Sequence, residues 1–140
     1  MNKEIDMVRQ RLNDGGYTCV VLASGEEYAS FERGVKPLLS LLECEKSFTG
    51  AVAADKIVGA GAAHLYVLLG IRALWANVIS SSALKVLKYN GIEICYGECV
   101  PHIINRKGDG VCPIETAVAD VQNSKEAYRL IVETLRKLQR

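Results

Sequence analysis

The densest run of reactive side chains is NRKGDGVCPIE, Asn105 to Glu115, with a basic pair, two carboxylates and a thiol around two glycines. Gly108 and Gly110 open backbone conformations closed to other residues. Pro113 suits the first turn of a helix, which puts Cys112 at or near the N-cap. A thiol at a helix N-terminus has its thiolate favoured, and Arg106 or Lys107 would add to that. This is how a nucleophilic cysteine is prepared, and Cys112 is the candidate for catalysis, in a transferase or as a redox thiol. A nucleophile also needs a base and an oxyanion site. Glu115, one turn on, would raise the thiol pKa if close, and His102 serves as base only if the loop folds back. Asn105, Arg106, Asp109 and Glu115 can equally grip a ligand, and Asn105 and Asp109 equally make the hydrogen bonds of a turn. Nucleophile, ligand clamp and turn-and-cap architecture all stay open from this stretch.

The chain of 140 residues fits one domain, 1–140, with one core. It has 17 basic and 16 acidic residues and a net charge of +1. That balance lacks the basic surplus of a protein that lives on phosphate backbones, so nucleic acid is not the expected partner. The longest apolar run, Leu65 to Ile71, is far too short to span a bilayer. The start MNKEIDMVRQRL has no apolar core and is not a signal peptide. A cytoplasmic protein without a membrane partner is expected. The 5 cysteines are odd in number and unsignalled, against a disulfide framework. Cys95 and Cys99 have no second pair at zinc spacing. Cys19 and Cys95 sit in apolar stretches and read as buried small hydrophobes.

Periodicity supplies the elements that must position these groups. Ile5, Val8 and Leu12 mark a short amphipathic helix. Thr18–Ser24 and Glu27–Phe31 read as a hairpin about Gly25-Glu26, and Pro37–Cys44 as a helix. Thr49–Asp55 reads as a small-residue strand followed at once by a helix, Lys56–Leu69, closed by Gly70. Gly59, Gly61, Ala62 and Ala63 leave one face of that helix nearly bare. Arg72–Ile79 is the next strand, and Ser80-Ser81-Ser82 caps a helix to Tyr89. Ile92–Cys99 is another strand. Pro113–Val121 is a short helical stretch, and Asn123-Ser124 caps a final helix, Lys125–Gln139. Strand–helix–strand units with short connections give parallel neighbours, and the hairpin adds an antiparallel strand. The expected fold is a three-layer α-β-α domain with a mixed five-stranded sheet.

This order resembles the cytidine deaminase-like fold. AADKIVG (Ala53–Gly59), the Gly/Ala-rich helix with YVLLG (Tyr66–Gly70), NGIEICYG (Asn90–Gly97) and the NRKGDGVCPIE loop resemble an uncharacterised bacterial family of that superfamily, the domain of unknown function numbered 1893. The superfamily's deaminases carry H-x-E at the start of the helix after the hairpin and P-C-x-x-C at the start of the next, and the zinc held there activates water. The corresponding stretches here are Gly34-Val35-Lys36-Pro37 and Ala54-Asp55-Lys56-Ile57-Val58, with no His, Glu or Cys. The resemblance therefore implies a zinc-less member, with no metal or other cofactor and no zinc deamination. It also implies self-association.

The same comparison leaves a crevice between two helix N-termini, near Pro37 and near Lys56. Backbone N–H groups and the helix dipole favour anions there. Lys36, Lys56 and Asp55 are its expected ligand-binding residues, with Asp55 as a helix N-cap the alternative. Ser81, at a strand end where open α/β sheets bind ligands, is a further candidate. His64 and Trp75 read as structural, and Tyr66 and Tyr96 as packing either a base or the core. The leading expectation is a metal-free domain holding a small anionic or nucleotide-like ligand. The alternatives are an enzyme using Cys112, and a homo-oligomeric interaction module in which the bare helix packs against its copy.

Overall fold

A computed structural model describes residues 3–105 and 107–138. The chain runs α1 (Lys3–Gly15), β1 (Cys19–Ala23), β2 (Glu26–Ser30), α2 (Lys36–Glu43), β3 (Val52–Val58), α3 (Ala60–Leu69), β4 (Ala73–Ser80), α4 (Ser81–Tyr89), β5 (Glu93–Val100), α5 (Pro113–Ala117) and α6 (Ser124–Leu138). The five strands form one sheet in the order β2-β1-β3-β4-β5. β1 is antiparallel to both β2 and β3, and β3, β4 and β5 run parallel. The expected mixed sheet in a three-layer α-β-α arrangement is therefore the observed one.

The layers are unequal. Among the described residues α1 alone covers one face, setting Ile5, Val8 and Leu12 against Val20, Val52, Ala54 and Trp75. The other face carries the main core, where Leu65, Tyr66 and Leu69 of α3 meet Leu38, Leu74, Ile79, Ile114 and Ile131. Alternation in β3 explains the split: Val52 and Ala54 face α1, while Ala53 faces α3.

One boundary departs from the pattern with consequences for the site. β3 extends through Lys56-Ile57-Val58, so Lys56 does not start a helix and Asp55 is not an N-cap. Lys56 N–H is tied to Thr18 O at 3.0 Å, which keeps the segment in the sheet. Ile57 and Val58 are β-branched and favour extended backbone. α3 begins only after Gly59, whose backbone is extended.

The bare face of α3 is covered by the chain's own helices, because α3 packs against α2, α4, α5 and α6. It therefore offers no surface to a second copy, contrary to the expected mode of self-association. The closest approach is at Gly61, where a Cβ would lie 2.4 Å from Ile114 Cγ2 and 3.4 Å from Ile131 Cδ1. Alanine is the better helix former by about 1 kcal/mol, but overpacking costs about 1–3 kcal/mol. Gly61→Ala is expected to lose about 1 kcal/mol net in urea unfolding; a gain in stability would show that α5 moves aside at little cost.

Candidate functional site

The Asn105–Glu115 stretch closes on itself. Asn105 N–H donates to Gly110 O at 2.8 Å, and Gly108 N–H to Asn105 O at 3.1 Å. The Asn105 side chain donates to the Asp109 carboxylate at 2.9 Å and accepts from Asp109 N–H at 3.3 Å. Ile104 and Val111 form an isolated antiparallel bridge. The polar groups of Asn105 and Asp109 thus shape the turn itself. Arg106, the remaining clamp candidate, lies outside the described residues.

Cys112 precedes α5 as expected and is half-buried, and its carbonyl accepts Thr116 N–H. α5 spans only five residues, so few peptide dipoles add at its start. Among the described residues, no hydrogen-bond partner meets the Cys112 sulfur, and His102 is exposed.

Glu115 is the member of the loop with a definite task. It is buried, and its Oε2 accepts Ala60 N–H at 2.7 Å. Its Oε1 accepts Ile103 N–H at 3.3 Å and lies 3.5 Å from the Ser82 hydroxyl. Gly59, the N-cap of α3, has no side chain to satisfy the first N–H groups of the helix. Glu115 does so from 55 residues away. The anion-favouring end of α3 is thus filled by the chain's own carboxylate. A Cβ at Gly59 would lie 2.5 Å from Glu115 Oε2, so the close approach requires glycine.

The two-helix crevice expected at Lys36, Asp55 and Lys56 is not built. Asp55 is buried under α3, Lys56 is exposed on the strand, and Lys36 is exposed at the first residue of α2. Ser81 is exposed and its hydroxyl donates to Val100 O at 3.3 Å, while Ser80 caps α4 by accepting Ala83 N–H at 3.2 Å.

A different cluster surrounds Asp55. Ser30, Cys19 and Asp55 stand side by side on three adjacent strands. Tyr66 reaches down from α3: its hydroxyl donates to Asp55 Oδ2 at 2.7 Å and lies 3.3 Å from Cys19 Sγ. In the second contact either the thiol or the hydroxyl can donate. Ile57 N–H adds a bond to Asp55 Oδ1 at 3.2 Å. Burial pushes the Asp55 carboxyl up to about 7, held back by the Tyr66 hydroxyl and by the N–H groups of Ile57 and Lys56. Burial, reinforced by Asp55, also pushes up the Cys19 thiol and the Tyr66 phenol. Sequence reasoning missed this cluster: Cys19 looked like a small hydrophobe, and nothing local connects it to a tyrosine 47 positions on.

Cys19 also lies on the floor of a cleft of about 450 Å³ between the β1–β2 hairpin and α2, whose other walls include Tyr28, Ser30, Glu32, Pro37 and Ser40. A second cavity, about 380 Å³, lies between α4 and the α5–α6 connection. Among the described residues, no group of three or more His, Cys, Asp or Glu side chains is placed to hold a metal ion, and no helix is long and apolar enough to cross a membrane.

The α/β fold is of a type already seen in a solved structure. A DUF1893 family protein (TM1506) from Thermotoga maritima superposes with a TM-score of 0.86 at 23% identity, covering 95% of this chain and 91% of that one. The family profile described as Domain of unknown function (DUF1893) matches residues 7–135, and the chain belongs to that family. A diaminohydroxyphosphoribosylaminopyrimidine deaminase/5-amino-6-(5-phosphoribosylamino)uracil reductase from Thermotoga maritima is similar at a TM-score of 0.47 and 13% identity, over 67% of this chain and 36% of that one. No curated protein matches the sequence.

Proposed function

We propose that this DUF1893 domain binds a small molecule in the cleft between the hairpin and α2. The observation that carries this reading is the buried chain from Cys19 through Tyr66 to Asp55, which starts at the cleft floor. Three apolar side chains would fill the same space without desolvating a carboxylate. A buried polar network that costs stability and ends at a cavity fits a binding role better than a packing role. The cleft volume falls in the usual range for small-molecule sites. The cleft also adjoins the start of α2, where zinc-bearing members of the deaminase-like superfamily place their first ligand motif. Our reading of the chain as a zinc-less relative of those enzymes rests on that resemblance.

Binding is favoured over catalysis at Cys112 because Asn105 and Asp109 are spent on the turn and Glu115 on capping α3. A thermal-shift screen with nucleosides, nucleotides, sugar phosphates, carboxylates and amines is the test, run beside Ser40→Trp, an exposed position on α2 where indole would fill the cleft. A ligand at a hundred times its dissociation constant adds about 2.7 kcal/mol of apparent stability, several degrees for a chain this size. We expect one chemical class to raise the melting temperature of the wild type and not of Ser40→Trp. An equal shift in both would place the ligand elsewhere.

A further inference from the structure

We infer that a second copy of this chain pairs along the free edge of β5, strand against antiparallel strand across a two-fold axis. β5 ends the sheet, and among the described residues no strand lies on its outer side. It is eight residues long and holds no lysine or proline. Ile94, Cys95 and Val100 are half-buried, and Tyr96 is exposed. The other edge, β2, is five residues long, and its Glu26 and Glu27 are paired with Lys46 and Arg11. Short, charged edges resist pairing, whereas long and more apolar ones invite it.

The backbone sets the register. Glu93 N–H donates to Arg72 O at 3.0 Å, and β5 pairs in parallel with β4 from Glu93 through Tyr96. Backbone groups alternate in direction along a strand. Those of Glu93 and Cys95 therefore serve β4, and those of Ile94 and Tyr96 point to the open edge. An antiparallel strand satisfies such a row of donors and acceptors. A two-fold axis at Cys95 sets Ile94 against the second copy's Tyr96, and Tyr96 against its Ile94. Each of these pairs exchanges both backbone hydrogen bonds and matches an aromatic with a β-branched side chain, a favourable cross-strand pair. An axis at Tyr96 would instead set Ile94 against a glutamate, Glu98.

Charge fits the same register. With the axis at Cys95, Glu98 of one copy lies opposite Ile92 of the other. Ile92 N–H donates to Leu87 O at 3.0 Å, which ties it to the last turn of α4, where Lys88 is exposed. Each copy thus brings a carboxylate to the level of the other's ammonium. Glu93 falls opposite Gly97, so no two carboxylates meet, as they would at a destabilising like-charge pair. The contact is the same patch on both chains, so it closes at two copies.

The test is the mass in solution, by light scattering over a range of concentrations, with thermal melts to show that each variant is folded. The wild type is expected at the mass of two chains. Glu98→Lys should weaken association several-fold, as for exposed ion pairs made twice, and adding Lys88→Glu should restore it. Tyr96→Pro removes an outward N–H that β4 does not use, a change an edge strand tolerates, and should give a monomer. Should that variant not fold, the charge exchange decides. The two Cys95 residues would form a non-hydrogen-bonded pair with Cα atoms about 4.5 Å apart, within reach of a disulfide. Diamide, an oxidant that takes up both thiol hydrogens as the sulfurs join, should therefore link two wild-type chains and leave Cys95→Ser unlinked. A wild type that is monomeric at every concentration would overturn the interface. A dimer indifferent to Tyr96→Pro and to the charge exchange would place the contact elsewhere and overturn it too. A dimer that diamide does not link through Cys95 would overturn the register.

Discussion

Replacing Glu115 by alanine is expected to lower the stability of the fold by about 3 kcal/mol. A hydrogen bond to a charged group contributes roughly 1.5–3 kcal/mol, and a buried donor left without its partner costs about 1–3 kcal/mol. Glu115 satisfies the buried Ala60 N–H, accepts Ile103 N–H and stands near the Ser82 hydroxyl. Alanine removes all three contacts and uncaps α3. Glutamine keeps an acceptor for Ala60 and should cost about 1 kcal/mol, in line with a neutral hydrogen bond. Gly59 supplies an internal control. Its φ of −91° suits any residue, so Gly59→Ala acts only through the 2.5 Å approach to Glu115 Oε2 and the 3.2 Å approach to Ile103 Cγ1. In Glu115→Ala the added methyl finds vacated space. The double variant should therefore be more stable than the sum of the two single losses implies, by about 0.5–3 kcal/mol as for other contacting pairs. Urea midpoints measure the wild type and the four variants. Additive losses, or a Glu115→Ala loss below about 0.5 kcal/mol, within the usual spread of surface substitutions, would show that Glu115 does not seal the helix.

The second large effect is a dependence of stability on pH that runs opposite to ordinary acid denaturation. The Asp55 carboxyl titrates near 3.8 when exposed and at about 7 in the folded chain, mainly because burial disfavours its charged form. The folded state therefore binds this proton more tightly than the unfolded state. Its contribution is complete below the unfolded pKa and is lost as pH rises through about 7. The loss is on the order of 4 kcal/mol between about pH 4 and pH 8. Glu26, Glu27 and Glu126, each held low by a hydrogen-bonded partner, act in the reverse sense as pH falls. They lie on the surface, so their part is small and is confined to the acid end. Denaturant midpoints from about pH 5 to about pH 8, a window that brackets the folded pKa, should fall with rising pH in the wild type, whereas in Asp55→Asn they should rise with pH, because burial lowers the His64 pKa and favours its neutral form. A wild-type profile with the same slope as that of Asp55→Asn would mean that water reaches the carboxylate.

Much of the architecture was legible because it is written in short-range pattern. Ile5, Val8 and Leu12 line one face of α1, Gly70 ends α3 in the left-handed conformation, and Pro113 opens α5. The small residues of α3 announced close packing, though its partners proved to be α5 and α6 rather than a second copy. The boundary at Asp55 was misplaced because a small-residue strand and the start of a helix look alike in composition. The pairing of Lys56 with Thr18 decided it, and a contact across strands leaves no mark on local periodicity.

The candidate site divides in the same way. The sequence alone determined the classes that composition permits, the mixed α/β order, and Cys112 at the entry of a short helix. It also marked Asn105 to Glu115 as one turn leading into a helix, because glycine admits backbone conformations closed to other residues and proline fixes its own φ. Tertiary structure alone decided that Glu115 serves α3, that Asp55 is buried beneath Tyr66, and that Cys19 joins both to a cleft. The strengths of those interactions depend on burial and on partners far along the chain. Both are properties of the assembled core, where losing water changes what a carboxylate or a thiol can do.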